Sequence, residues 1–248
     1  MRVAIISTPR SGNTWLRLIL AGLYKCESLP VHSPDALDWH TLPRDFVLQL
    51  HWHRTAELMS CLDGHAFRIV TIARHPLDVL VSILHFAPRE PQTAQWLRGE
   101  AGDEMSIRNA VPTSAEFVAY CTGARARALL SVTRDWWDYP NAERIRYEQL
   151  VVEPTIVLRT LLYRLGGAVK NIDSVLQDLT MEKLRFTSQN QHYWQGRPGL
   201  WKALLPKPVA MAIAQVQAGS FEGLGYRCDP DPSLTAESAR AAWERLQA

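Results

Sequence analysis

The chain has 248 residues, 47% of them hydrophobic and 21% charged, and its 27 basic and 25 acidic side chains leave a formal charge of +2. These proportions belong to an ordinary globular chain and exclude a disordered tail, a low-complexity scaffold or a collagen-like fibre. So small a charge gives no bulk attraction for nucleic acid or a membrane surface, so any anion site has to be built locally.

In chain order, Val3-Ala4-Ile5-Ile6 reads as a short buried strand of a parallel sheet. Thr8 to Gly12 breaks it, and Leu16, Ile19, Leu20 and Leu23 then recur with helical spacing. A second strand is expected over Phe46–His51, a helix over Thr55–Leu62 and a third strand over Phe67–Ala73. Pro76 sits where the first turn of a helix accepts proline, and Leu77, Leu80, Val81 and Leu84 give that helix its apolar stripe. Residues 87–112 lose periodicity and read as an irregular surface excursion. A helix over Ser114–Thr133, a strand near Arg144–Tyr147 and a helix over Thr155–Leu165 follow. The stretch near 186–208 is irregular, and helices over Val209–Gln217 and Ala236–Leu246 finish the chain. With neither repeat nor linker, one α/β domain over 1–248 is expected, its central parallel sheet flanked by helices.

The four cysteines lie far apart, with neither CxxC nor zinc spacing, so no metal is expected and Cys26, Cys61 and Cys121 read as core thiols. The first residues lack the apolar core of a signal peptide, and no window has the run of about 18 apolar residues that spans a membrane. A cytoplasmic protein with neither nucleic-acid nor membrane partner is expected. Its oligomeric state is left open.

The first strand–turn–helix is the strongest chemical signal. Such a turn presents unpaired backbone N–H groups to an anion. Arg10 adds charge, Ser11 and Thr14 add hydroxyls, and Gly12 lets a ligand come close. The GK pair of the common nucleotide-binding loop is absent. Taken alone, the segment also reads as a plain βα turn with Arg10 in solvent. A second signal is Arg74-His75-Pro76-Leu77-Asp78, with Ser82 one turn further on. Arg74 and Ser82 can share a phosphate at the carboxyl edge of the sheet. Arg74 paired with Asp78 on the surface is the plainer alternative.

Together these segments resemble the sulfotransferase family, whose donor is 3′-phosphoadenosine 5′-phosphosulfate (PAPS). Thr8-Pro9-Arg10-Ser11-Gly12-Asn13-Thr14-Trp15 looks like its 5′-phosphosulfate loop, with Arg10 for the usual Lys and Trp15 as the adenine-stacking residue. Arg74 to Ser82 looks like its 3′-phosphate motif, R-x-P-x-D-x-x-x-S. Tyr147, with Pro154 beyond, resembles the element whose tyrosine touches adenine. In the C-terminal motif Gly196, Gly199 and Trp201 match, but Trp194 and Gln195 replace Arg-Lys, and Arg197 is the cation nearby.

The resemblance implies a fold like that of P-loop nucleotide kinases. It implies sulfuryl transfer from PAPS to a hydroxyl or amine of a small-molecule acceptor, with no metal. The family also carries a general-base histidine at a strand end. Matching the strand pattern puts Gln49 on its usual Lys and His51 on the base, although the distance to Arg74 does not separate His51 from His53, and both are expected on one strand face. A neutral imidazole near its ordinary pKa of about 6.5 suits proton abstraction. His51 and Arg10 are therefore the expected catalytic residues. Arg10, Ser11, Gly12, Asn13, Thr14, Trp15, Arg74, Ser82, Tyr147, Gly196 and Arg197 are the expected PAPS ligands. A nucleotide or small-molecule kinase and a non-catalytic nucleotide-binding relative are the alternatives. Trp136-Trp137 reads as packing, and Arg125, Arg127 and Arg134 as a solvated helix face.

Overall fold

The computed structural model describes residues 1–167, 171–187 and 193–247. In chain order it holds β1 (Arg2–Ile6), α1 (Asn13–Tyr24), β2 (Glu27–Val31), β3 (Phe46–Leu50), α2 (Ala56–Gly64), β4 (Phe67–Ala73) and α3 (Pro76–Phe86). Then come α4 (Ala115–Thr122), α5 (Ala124–Trp137), β5 (Ala142–Arg146), α6 (Tyr147–Val152), α7 (Pro154–Arg164), α8 (Ile172–Asp178) and α9 (Met181–Thr187). The last are α10 (Lys207–Val216), α11 (Ala218–Leu224) and α12 (Ala236–Gln247). Contacts group them into two compact units, Met1–Arg74 with Val132–Gly196, and His75–Ser131 with Arg197–Ala248.

The first unit carries the sheet, five parallel strands in the order β2-β3-β1-β4-β5. Val3 to Ile6 are wholly buried, as a central strand covered on both faces requires. From β1 the chain leaves toward β2, and from β4 toward β5, so β1 and β4 are neighbours whose continuations diverge. Open parallel sheets bind ligands at such a divergence, beyond the carboxyl ends of the strands. Val3, Ile5, Leu16, Leu20, Ile72, Leu158 and Leu161 form part of this unit's core.

β2 has no counterpart in the sequence reading. Its residues Glu-Ser-Leu-Pro-Val do not alternate, and it pairs only with β3 at the sheet edge, where Pro30 removes no ladder bond that the sheet needs. The helix expected over Ser114–Thr133 is two, interrupted at Gly123, and Tyr147 opens α6 rather than closing β5.

In the second unit α3 is buried along its whole length. The excursion near 87–112 is more anchored than its composition suggests. It forms 3-10 turns over Pro91–Gly99 and Met105–Ile107 and buries Trp96, Glu104 and Ile107. Arg125, expected in solvent, is 4% exposed. It donates to Glu104 at 2.9 Å and to the carbonyls of Trp96, Glu100 and Thr93, while Tyr120 also donates to Glu104. Of the irregular stretch near 186–208, residues 188–192 lie outside those described. No helix among the described residues is long and apolar enough to cross a membrane.

Candidate active site

The turn after β1 is fixed from both sides. Ser7 Oγ accepts the Ile72 N–H at 2.7 Å, which ties the end of β1 to β4. The Thr8 N–H donates to Thr133 Oγ1, and the Thr133 N–H donates back to Thr8 Oγ1, which ties the turn to α5. Arg10 then adopts a left-handed backbone (φ 68°), an uncommon conformation for a residue with a Cβ and one that costs on the order of 1 kcal/mol. Its carbonyl accepts from Arg74 Nη1 at 3.0 Å, so the first residue beyond β4 holds the strained residue in place.

Gly12 caps α1 with φ 102°, and no side chain caps the helix, so its first N–H groups face the turn. A Cβ at Gly12 would lie 2.5 Å from the Tyr147 ring. Glycine is therefore required twice, by backbone angle and by the tyrosine beside it. Tyr147 itself is held by Arg74 4.6 Å from its ring centre and by its hydroxyl, which donates to the Gly196 carbonyl at 2.9 Å.

The electrostatics ask for an anion. Burial, with the Arg74 charge second, pulls Arg10 down to about 9. Ser11 Oγ, Asn13 Oδ1 and Arg74 Nε are buried without a hydrogen-bond partner, a costly state for groups that nothing else requires there. Two guanidiniums, an orphaned hydroxyl, an orphaned guanidinium N–H and an open helix N-terminus fit the oxygens of a phosphate or sulfate ester.

His51 stands just past β3. Its Nδ1–H donates to the Ser7 carbonyl at 2.7 Å, which leaves the lone pair on Nε2, 3.4 Å from Gln49 Nε2. Burial is the main reason its pKa falls to about 4, well below the ordinary value expected from sequence; His32 and Arg10 push the same way. The imidazole is thus neutral throughout the physiological range and a weaker base than an exposed histidine. The expectation that His51 and His53 share a strand face does not hold, because β3 ends at Leu50. His53 instead donates from Nδ1 to Asp135 Oδ2 at 2.7 Å, on α5.

Arg10, Ser11, Gly12, Asn13, Thr14, Trp15, His51, Arg74, Tyr147 and Gly196 all belong to the first unit. Trp15 is 9% exposed, lies in the apolar core and donates its indole N–H to the Leu179 carbonyl, so packing already occupies most of its surface. Ser82 is buried in α3 of the second unit, and Arg197, in the same unit, is exposed with no hydrogen bond or ion pair among the described residues.

Three residues take roles that the sequence did not show. Asp78 makes no surface pair. It is 1% exposed, and its carboxylate accepts the N–H groups of Gly199 (2.6 Å) and Trp201 (3.0 Å). This fixes the C-terminal loop to the first turn of α3, where His75 also stacks on Trp201 at 4.9 Å. Asp135 is the second. The third is Arg17, whose position one helical turn after Asn13 was the available signal.

Residues 1–202 match the sulfotransferase domain family. Among solved structures, a mouse sulfotransferase complexed with PAP superposes with a TM-score of 0.67 at 15% identity, over 89% of this chain and 84% of that one. Retinol dehydratase, in complex with androsterone and inactive cofactor PAP, gives 0.60 at 14%, over 90% and 82%. The sulfotransferase domain from the curacin biosynthetic pathway gives 0.51 at 16%, over 92% and 98%. At these identities the likeness is one of fold. Among curated proteins no sequence matches this chain.

Proposed function

The chain belongs to the sulfotransferase domain family, and from that premise we propose that it transfers a sulfuryl group from PAPS to a hydroxyl, or an amine, of a small-molecule acceptor. The observation that carries this reading is the set of buried, unpartnered donors between Arg10 and Arg74 at the divergence of β1 and β4. Solved relatives in complex with PAP, and with androsterone or retinol in retinol dehydratase, support a nucleotide donor and an apolar alcohol as acceptor.

In the proposed reaction the acceptor oxygen attacks sulfur as the bond from sulfur to the bridging phosphate oxygen breaks. His51 Nε2 takes the acceptor's proton. The departing electron pair stays on the phosphate of adenosine 3′,5′-bisphosphate. Arg10 and the N–H groups of Gly12 to Thr14 stabilise the charge that develops there, so positioning and electrostatics do most of the work. Arg74 binds the 3′-phosphate, as its motif implies, with Tyr147 at the adenine.

The test is PAPS labelled in its sulfuryl group, incubated with a panel of phenols, sterol alcohols and amines. Calorimetric titration with the bisphosphate runs alongside. Label on an acceptor is the expected result. Tight bisphosphate binding with no transfer to any acceptor would select a non-catalytic nucleotide-binding protein. Magnesium-dependent turnover of ATP without turnover of PAPS would select a kinase.

A further inference from the structure

We propose that Arg17, acting through Gln49, is a positioning residue for His51. It fixes which way the Gln49 amide faces and thereby keeps His51 Nε2 as a proton acceptor. This rests on the sulfuryl-transfer reading for its purpose, but not for its geometry.

Arg17 lies on α1 and is half-buried between β2 and β3. Its Nε donates to Gln49 Oε1 at 3.1 Å and its Nη1 to Ser28 Oγ at 2.7 Å. A guanidinium has only donors, so the amide must turn its oxygen toward Arg17. The Gln49 N–H2 then points the other way, at His51 Nε2, 3.4 Å off. On the far side of the ring Nδ1 faces the Ser7 carbonyl, which accepts only. The chain of bonds therefore has one consistent direction: guanidinium to amide, amide to Nε2, Nδ1–H to carbonyl. Reversing any member would set two donors or two acceptors face to face.

Two consequences follow for proton transfer. At 3.4 Å the amide-to-Nε2 contact is longer than an ordinary hydrogen bond and therefore weak, so an acceptor hydroxyl can displace it at small cost. Once protonated, Nε2 faces an amide N–H that accepts nothing, and the charged ring lies near Arg10 and His32, with Arg17 one residue further along the relay. The imidazolium is thus disfavoured from each of these sides, which drives the proton out after transfer. β2 takes a share in this, since Ser28 is its second residue and anchors the guanidinium.

The primary test reads His51 without turnover. Side-chain nitrogen NMR follows protonation of Nε2 against pH in the parent chain, Arg17→Met, Arg17→Lys and Gln49→Glu, each first checked for a cooperative thermal transition. In the parent, Nε2 should stay largely unprotonated from pH 5 to 8. In Arg17→Met the amide is free to turn its oxygen to the ring, and the His51 pKa should rise by about one unit or more, a tenfold change in protonation. Arg17→Lys, which keeps a donor to Oε1, should recover part of the shift. Gln49→Glu, which puts only oxygens beside Nε2, should give the largest rise. A folded Arg17→Met with the parent's His51 titration would overturn the proposal.

The second readout is the pH profile of kcat for any acceptor that supports transfer. Its acid limb should move upward by the same amount in Arg17→Met, while calorimetric affinity for the bisphosphate should stay within about twofold, since neither Arg17 nor Gln49 is among the expected nucleotide ligands. An acid limb unmoved despite a shifted titration would deny His51 its role as base. A parent chain that fails to bind the bisphosphate would sink the sulfotransferase reading and leave the relay standing on the NMR result.

Discussion

Arg74 sits where three demands meet: it holds the Arg10 carbonyl, lies on the Tyr147 ring and keeps a buried Nε–H without a partner. Truncating one side of a desolvated, charge-assisted contact costs roughly 2–5 kcal/mol of binding. Arg74→Ala should therefore weaken adenosine 3′,5′-bisphosphate by that amount in calorimetry; unchanged affinity would remove Arg74 from the site. His51 makes a different prediction. Its folded pKa of about 4 lies below the ordinary value of 6.5, so the unfolded chain binds the proton more tightly between those pH values. Stability is then complete above pH 6.5 and declines as pH falls toward 4, by an amount on the order of 3 kcal/mol. Denaturant unfolding of the parent and His51→Gln at pH 7.5 and 5.0 checks this: the parent should lose more stability between the two pH values. Equal losses would mean that the ring is hydrated.

At the scale of elements, two buried carboxylates tie irregular segments to helices. Asp78 at the start of α3 accepts both N–H groups of the loop at Gly199 and Trp201. Hydrogen bonds to a charged acceptor are worth about 1.5–3 kcal/mol each, and Asp78→Ala also leaves two N–H groups unpaired. The expected outcome is a loss of roughly 3–5 kcal/mol in denaturant unfolding, with Asp78→Asn losing less because one acceptor oxygen remains. Glu104 does the same for the excursion near 87–112 through Arg125. Removing one partner of a buried ion pair strands the other charge, so Glu104→Ala should cost about 3–5 kcal/mol. Limited proteolysis should then cut first within 91–107; a cut pattern identical to the parent's would show that Trp96 and Ile107 alone hold the segment. Both devices join residues remote in sequence, and neither carboxylate has an apolar pattern to mark it.

At the scale of the whole molecule, a net charge of +2 means that any anion affinity has to come from placement rather than from a diffuse field. The placement was partly legible. β4 appears at its expected ends because seven residues between a turn and a proline-started helix leave little freedom. β1, α1 and the turn between them follow from the apolar run and its interruption. The edge strand β2 did not show, since half-exposed backbone pairing needs no hydrophobic signature. Sequence by itself determined the fold class and the strand–turn–helix at the start of the chain, because strand and helix periodicities and short turns are local properties of the chain, and the candidate ligands followed from the resemblance of its motifs to those of the family. Only the tertiary structure decided which histidine donates a hydrogen bond from Nδ1 to the Ser7 carbonyl, which cation stands behind Gln49 and which carboxylate pins the C-terminal loop. Those depend on pairing groups far apart in sequence inside a desolvated interior, where the lack of water makes each partner obligatory but leaves no periodic trace in the chain.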